Sequence, residues 1–327
     1  MIRVVWRQQR AQLITLLGVL VVAVGVVLVA RASMTSYLDG HGLTACVTGG
    51  VQGNGCGNDV AQSFQDIWFD RMKVAQLFVL ALPVLIGLFC GAPLFARELE
   101  QGTHVLAFTQ SVSRLRWMTS KLLVSAVPAL LVVAVVQLLV EWWVAAAGKI
   151  GPLASGPYFY VTFGSSSFAP LAYTVFAFTL GMFVGAASRR TLVAMTVTLG
   201  VTVVLRYILS TAQQFLVPAQ RIVSDDPSQS IYERGSLEVF GGYLDANGTI
   251  VPTAKAADAI GKCGSRGDAA PITDSAACYR DHGLAKWFAD VIPVSAASTV
   301  HLVEAAIYLG LAVVLVLGTG WAVRRQA

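Results

Sequence analysis

Charge is scarce in this chain. Of 327 residues, 13% are Asp, Glu, Lys or Arg, where a soluble domain carries roughly a quarter. That scarcity excludes an ordinary water-soluble globule and a disordered tail, and it removes nucleic acid as the reason for the net charge of +5. The side chains of catalysis are equally thin. The four histidines, His41, His104, His282 and His301, have no metal-ligand spacing. GxSxG, HExxH, CxxC and GxxxxGK[ST] are all absent, and Gly148-Lys149 and Gly261-Lys262 lack the upstream glycine of a phosphate loop. The glycine-rich run 49–57 neither follows a strand nor opens a helix, so it reads as turns. No enzyme activity, metal or cofactor is expected of this chain itself.

What fills the sequence is apolar surface, 56% of residues. About 20 consecutive apolar residues cross a ~30 Å hydrocarbon core, and six such runs can be placed. They are 13–31, 75–96, 117–147, 168–187, 191–212 and 300–322. Residues 1–12, with Arg3, Arg7, Arg10 and Trp6, read as an amphipathic surface helix. A signal peptide competes for the first run, because Ala30-Arg31-Ala32 has the form of a cleavage site; the run is long for that role. Polar segments 32–74, 148–167 and 213–299 alternate with the short segments 97–116 and 188–190 and the tail 323–327. Within 213–299, Asn247-Gly248 between β-formers signals a hairpin, and 284–299 reads as an apolar stretch too short to span, dipping into the outer leaflet.

Charge orients the spans. With both termini inside, Arg3, Arg7, Arg10, Arg97, Arg114, Arg116, Lys121, Arg189, Arg190, Arg324 and Arg325 face the cytoplasm against two acids, Glu98 and Glu100. The expected fold is therefore an all-α polytopic membrane protein. It has six transmembrane helices, cytoplasmic N- and C-termini and a small extracytoplasmic mixed domain between helices 5 and 6. Cys90 lies in an apolar run as a packing residue. Cys46 and Cys56 share one outer segment and Cys263 and Cys278 the other. One disulfide in each is the expectation, four free thiols the alternative. Three ionisable residues lie within spans. At ~1.5 Å per residue, Arg206 is roughly 24 Å beyond Arg190, and Glu141 and Glu304 are each about 30 Å from their cytoplasmic ends. Arg206 can pair with Glu304 or Glu141 to latch an outer gate, or all three can snorkel to headgroups. None is near the midplane, which counts against a proton-coupled carrier.

The inner segment 97–116 carries the most information. Arg97-Glu98-Leu99-Glu100-Gln101 extends the second span, Gly102 stops it, and Thr103 can cap a short helix over 103–110. His104, Leu106, Phe108 and Gln110 lie on that helix, and Arg114 follows. Taken alone, it can dock in a partner's groove or serve as a solvated connector. The run Gly91-Ala92-Pro93-Leu94-Phe95-Ala96-Arg97-Glu98-Leu99-Glu100-Gln101-Gly102-Thr103, with Phe108-Thr109-Gln110-Ser111-Val112-Ser113-Arg114-Leu115-Arg116-Trp117 and Lys121, closely resembles the loop of bacterial ABC-2-type permeases. These are the membrane subunits of type V ATP-binding-cassette exporters. Trp6-Arg7-Gln8-Gln9-Arg10 and the six-span layout share the resemblance.

The resemblance implies an elbow helix before the first span and a coupling helix at 103–110 seated on an ATPase, with Glu98 and Glu100 as its charged lead-in. It also implies short outer helices before the sixth span. Two permeases, as a homodimer or heterodimer, would work with two ATPase subunits that bind ATP and Mg. The expected setting is the bacterial plasma membrane, multi-pass. The expected function is outward movement of an amphipathic drug, lipid or peptide-like antibiotic. The alternative is a sensing or resistance module in which ATP hydrolysis drives release or signalling.

Overall fold

The computed structural model describes residues 2–49, 56, 58–101, 114–229, 231–263 and 275–325, the side chains of 2–8 and 114–117 excepted. Among the described residues six helices are long and apolar enough to cross a membrane. These are Gln9–Gly40, Asp59–Glu100, Met118–Ala145, Ala169–Ser188, Thr191–Leu216 and Val294–Arg325.

The chain forms two compact units. The first is a helical bundle of residues 1–155, 159–211 and 301–327. It opens with α1 (Ile2–Gly40) and α2 (Thr44–Gly49). Next come α3 (Asn58–Ile86), a π-helical turn (Gly87–Gly91) and α4 (Pro93–Glu100), which together make the second candidate span. After α5 (Arg114–Ala145), the short α6 (Tyr160–Ser165) precedes α7 (Ala169–Ser188) and α8 (Thr191–Leu216).

The surface helix expected at 1–12 is not a separate element, because α1 runs unbroken through residue 12. No Gly or Pro lies in that stretch to interrupt it. The polar segment 32–74 is also mostly helical. Met34, Leu38, Phe64, Trp68 and Met72 recur four residues apart and are buried. Four-residue spacing keeps them on one helical face, so the ends of α1 and α3 continue as amphipathic helices beyond the apolar runs. The Cys46–Cys56 disulfide closes the connection between them. At 42 residues, the second candidate span is about 60 Å long, twice the hydrocarbon core.

The π turn lies between Pro83 and Pro93. Pro93 offers no N–H to a preceding carbonyl, and the ladder shifts so that Ala92 N–H donates to Gly87 O at 2.9 Å. The same stretch packs against α7 with backbone nearly touching backbone. A Cβ on Gly181 would stand 2.5 Å from Gly87 O, and one on Gly91 would stand 2.5 Å from Phe178 O. Only glycine permits that approach.

The second unit comprises residues 156–158 and 212–300 and is mixed α/β. Its strands are β1 (Gln220–Ser224), β2 (Leu237–Leu244) and β3 (Lys286–Ile292), antiparallel in the order β1-β3-β2. Helices α9 (Thr253–Cys263) and α10 (Ser275–Asp281) lie between β2 and β3 in sequence, and the Cys263–Cys278 disulfide joins them. A small core of Val251, Ala256, Ala259 and Leu284 lies under Tyr243 and Tyr279.

Two expectations are corrected in this unit. The stretch 284–299 does not dip into lipid, because it supplies the central strand β3. Phe288, Ala289, Val291 and Ile292 are buried there because both of β3's edges are paired. The Asn247-Gly248 hairpin forms as a turn whose second arm is only the bridge Leu244–Ile250. Asp245 Oδ1 accepts from the N–H groups of Asn247 and Thr249 at 2.9 Å, and Pro252 then leads into α9. The last helix, α11 (Ala297–Arg325), returns the chain to the bundle.

Candidate functional site

Among the described residues, polar clusters and a sizeable cavity interrupt the apolar bundle, and three of these features bear on function. The first cluster gathers at the end of α4. Glu98 forms an ion pair with Lys121 of α5, whose side chain is 4% exposed. One turn separates Lys121 from the start of the α5 span, so a long side chain can reach back to the carboxylate. Glu100 Oε2 accepts from Thr191 at the start of α8, at 3.2 Å from the N–H and 2.8 Å from the hydroxyl. It therefore fills a free donor at that helix terminus and complements its dipole. The Ser188–Arg190 turn that positions Thr191 has Arg189 in the left-handed region at φ 56°. Ser188 Oγ accepts from Arg190 N–H at 3.3 Å. Both acids read as a lead-in to a docking helix are thus engaged within the chain.

The expected helix at 103–110, with Gly102, Thr103, His104, Leu106, Phe108 and Gln110, lies outside the described residues. Arg114 is the first residue of α5, and its side chain lies outside them too.

The second cluster joins α7, α8 and α11. Tyr173 donates from its hydroxyl to Glu304 Oε1 at 3.0 Å, and the Arg206 guanidinium lies 4.1 Å from the centre of the Tyr173 ring. Tyr308 meets Tyr173 edge-on at 4.8 Å, and His301 stacks on Phe163 at 3.9 Å. His301, Glu304 and Tyr308 fall on one face of α11 by their i, i+3, i+7 spacing. No direct Arg206–Glu304 ion pair within 4.0 Å is present among the described residues; Tyr173 stands between them. Glu141 is elsewhere, accepting from Gln137 Nε2 at 3.0 Å and Ser167 N–H at 3.2 Å. Several buried polar atoms of this cluster lack a hydrogen-bond partner: Arg206 Nη1, Glu304 Oε2, His301 Nδ1 and Tyr308 Oη. Sequence reasoning named Arg206 and Glu304 but missed Tyr173, Tyr308 and His301. Aromatic residues inside an apolar run carry no polarity signal, and only the α11 spacing could have linked them.

The cavity, about 770 Å³, is lined by α1, α3 with the π turn, α4 and α5. Its walls include Leu16, Val19, Phe78, Leu82, Leu85 and Phe89. Gln9, Gln12, Arg97, Glu98, Gln101 and Lys121 form a polar end. Gln12 Nε2 donates to Ser125 Oγ at 2.7 Å there. The volume lies within the range of small-molecule sites.

The four loop cysteines form the pairs Cys46–Cys56 and Cys263–Cys278, and Cys90 is free and buried. His282 Nδ1 lies 3.7 and 3.9 Å from the sulfurs of Cys263 and Cys278. Those sulfurs are bonded to each other and leave no thiolate for a metal.

A family model described as ABC-2 membrane transporter related matches residues 17–213. No curated protein and no solved structure matches the chain.

Proposed function

The chain belongs to the ABC-2 membrane transporter related family, and from that premise we propose that it is the membrane half of an ATP-driven exporter. It is a multi-pass membrane transporter subunit and a non-catalytic permease. The proposal adds direction, partners and mechanism. Both termini and the segment 97–116 face the cytoplasm, and the mixed unit faces outward, in a bacterial plasma membrane. An ATPase subunit docks on 103–110 through Leu106 and Phe108 and supplies bound ATP and Mg. A second permease, identical or related, completes the assembly. The cargo is amphipathic.

One observation carries the reading: the family match runs from the first span through the fifth and includes the inner segment. The polar contacts beside that segment support a mechanical role. Glu98 ties the end of α4 to α5, and Glu100 ties it to α8. A push on 103–110 therefore reaches three spans through charged contacts, with no hydrolysis in this chain.

Copurification with a candidate ATP-binding-cassette ATPase subunit tests the docking. Leu106→Asp and Phe108→Asp should each abolish the complex, and wild-type yield from both would refute it. The sensing alternative has its own support in the mixed unit, a separately cored, disulfide-joined fold between α8 and α11. Ligand-stimulated ATPase activity with no accumulation in inverted vesicles would favour it.

A further inference from the structure

The bundle cavity has a chemical direction that the transporter reading leaves unused. The ionisable side chains of Asp, Glu, Lys or Arg type lining it are Arg97, Glu98 and Lys121, all at the polar end. Lys121 and Glu98 neutralise each other as an ion pair. Arg97 makes no ion pair among the described residues and leaves that end with one net positive charge. Gln9 Oε1 is buried there without a hydrogen-bond partner, so the end holds unused polar capacity. Apart from Thr15, the rest of the described wall is apolar. Phe78, Leu85 and Phe89 on it are 39%, 40% and 59% exposed, so the cavity opens at the surface of the bundle along α3. In a bilayer that opening faces acyl chains.

We propose that this cavity binds an anionic amphiphile, an acyl chain carrying a carboxylate or phosphate. The chain would lie between α1 and α3 and the anion against Arg97. A cationic amphiphile is disfavoured because Glu98, the one carboxylate, is already held by Lys121. A neutral one would forgo the charge-assisted bond to a guanidinium. That the bound amphiphile is cargo rests on the exporter reading; that it binds here does not.

Binding is measured on the purified full chain in neutral detergent, with stearate carrying an anthroyloxy group as a fluorescent probe. Unlabelled stearate should displace the probe, and stearyl alcohol and stearylamine should compete at least tenfold more weakly. Arg97→Gln should weaken probe binding about tenfold and erase the preference for stearate over stearyl alcohol, while Arg97→Lys retains both. Leu85→Trp, at a half-open wall position that tolerates bulk, should block all three ligands. Circular dichroism and an unchanged elution volume establish that each variant is folded.

Equal competition by stearylamine, or undiminished probe binding by Leu85→Trp, overturns the proposal. So does a wild type that binds no probe while Leu85→Trp loses self-association in light scattering, because a second copy then covers the cavity. In vesicles that also hold the ATPase, ATP-driven movement of the probe identifies it as cargo. Binding without movement leaves the site standing and removes the cargo assignment.

Discussion

Around the end of α4, Lys121 is paired with Glu98 and the start of α8 with Glu100, so both carboxylates are engaged. Around the start of α11, Glu304 has one bonded oxygen and one orphan, and Arg206, His301 and Tyr308 each keep a buried polar atom without a partner. Both clusters join three helices of the same bundle. The Glu98 and Glu100 contacts of the first behave as a clamp, because separating α4 from α5 or α8 breaks an ion pair or uncovers a helix terminus. The second is under-satisfied and has less to lose by rearranging, since several of its bonds are already missing. Buried polar groups are costly when unpaired, so the two clusters differ in what separating their helices would cost.

The largest expected effect comes from breaking the clamp. Lys121→Ala removes the cation from the Glu98 ion pair and should lower stability by about 3–5 kcal/mol in thermal unfolding, while Lys121→Met with Glu98→Gln recovers most of it. Equal instability of the single and double variants would mean that the pair is not the clamp. Tyr173→Phe removes the one bond to Glu304 and should cost about 2 kcal/mol by the same assay. A cost equal to that of Lys121→Ala would erase the contrast between the clusters. Glu100→Ala withdraws the acceptor at the start of α8 and should cost less than Tyr173→Phe, with faster amide exchange confined to the first turn of α8.

The smallest effect belongs to an exposed pair in the mixed unit. Arg221 donates to Asp290 through two bonds of 2.8 Å and holds its carboxyl below the ordinary value, chiefly by hydrogen bonding. A carboxyl depressed in the folded state stabilises above its unfolded pKa of about 3.9 and loses that contribution as pH falls through its folded pKa. Asp290→Asn should therefore flatten only the acid limb of stability against pH, by an amount small beside the other variants because solvent screens the pair.

Hydropathy made the six spans legible, yet it ended α1 too early and began α3 too late. Leu38, Phe64 and Trp68 alternate with polar residues, so a window average falls even though their four-residue spacing keeps one face buried. The same averaging read the stretch 284–299 as lipid-seeking. Phe288 and Ile292 are instead buried in a strand held between β1 and β2, which lie more than forty residues upstream in the chain. Arg206 and Glu304 stood out as charges in apolar runs, but Tyr173, which stands between them, did not.

Composition and charge placement by themselves determined that this chain lives in a membrane, how many times it can cross, and that it holds no catalytic motif. Those properties depend on sums along the chain: apolar length against a fixed hydrocarbon thickness, and basic residues counted near span ends. Tertiary structure alone decided which acids hold which helices, that Glu98 and Glu100 are engaged within the chain, and that a cavity lies beside them in which Arg97 has no ion-pair partner among the described residues. Those properties depend on distances between residues remote in sequence, and a carboxylate's role is set by the donor it meets in space.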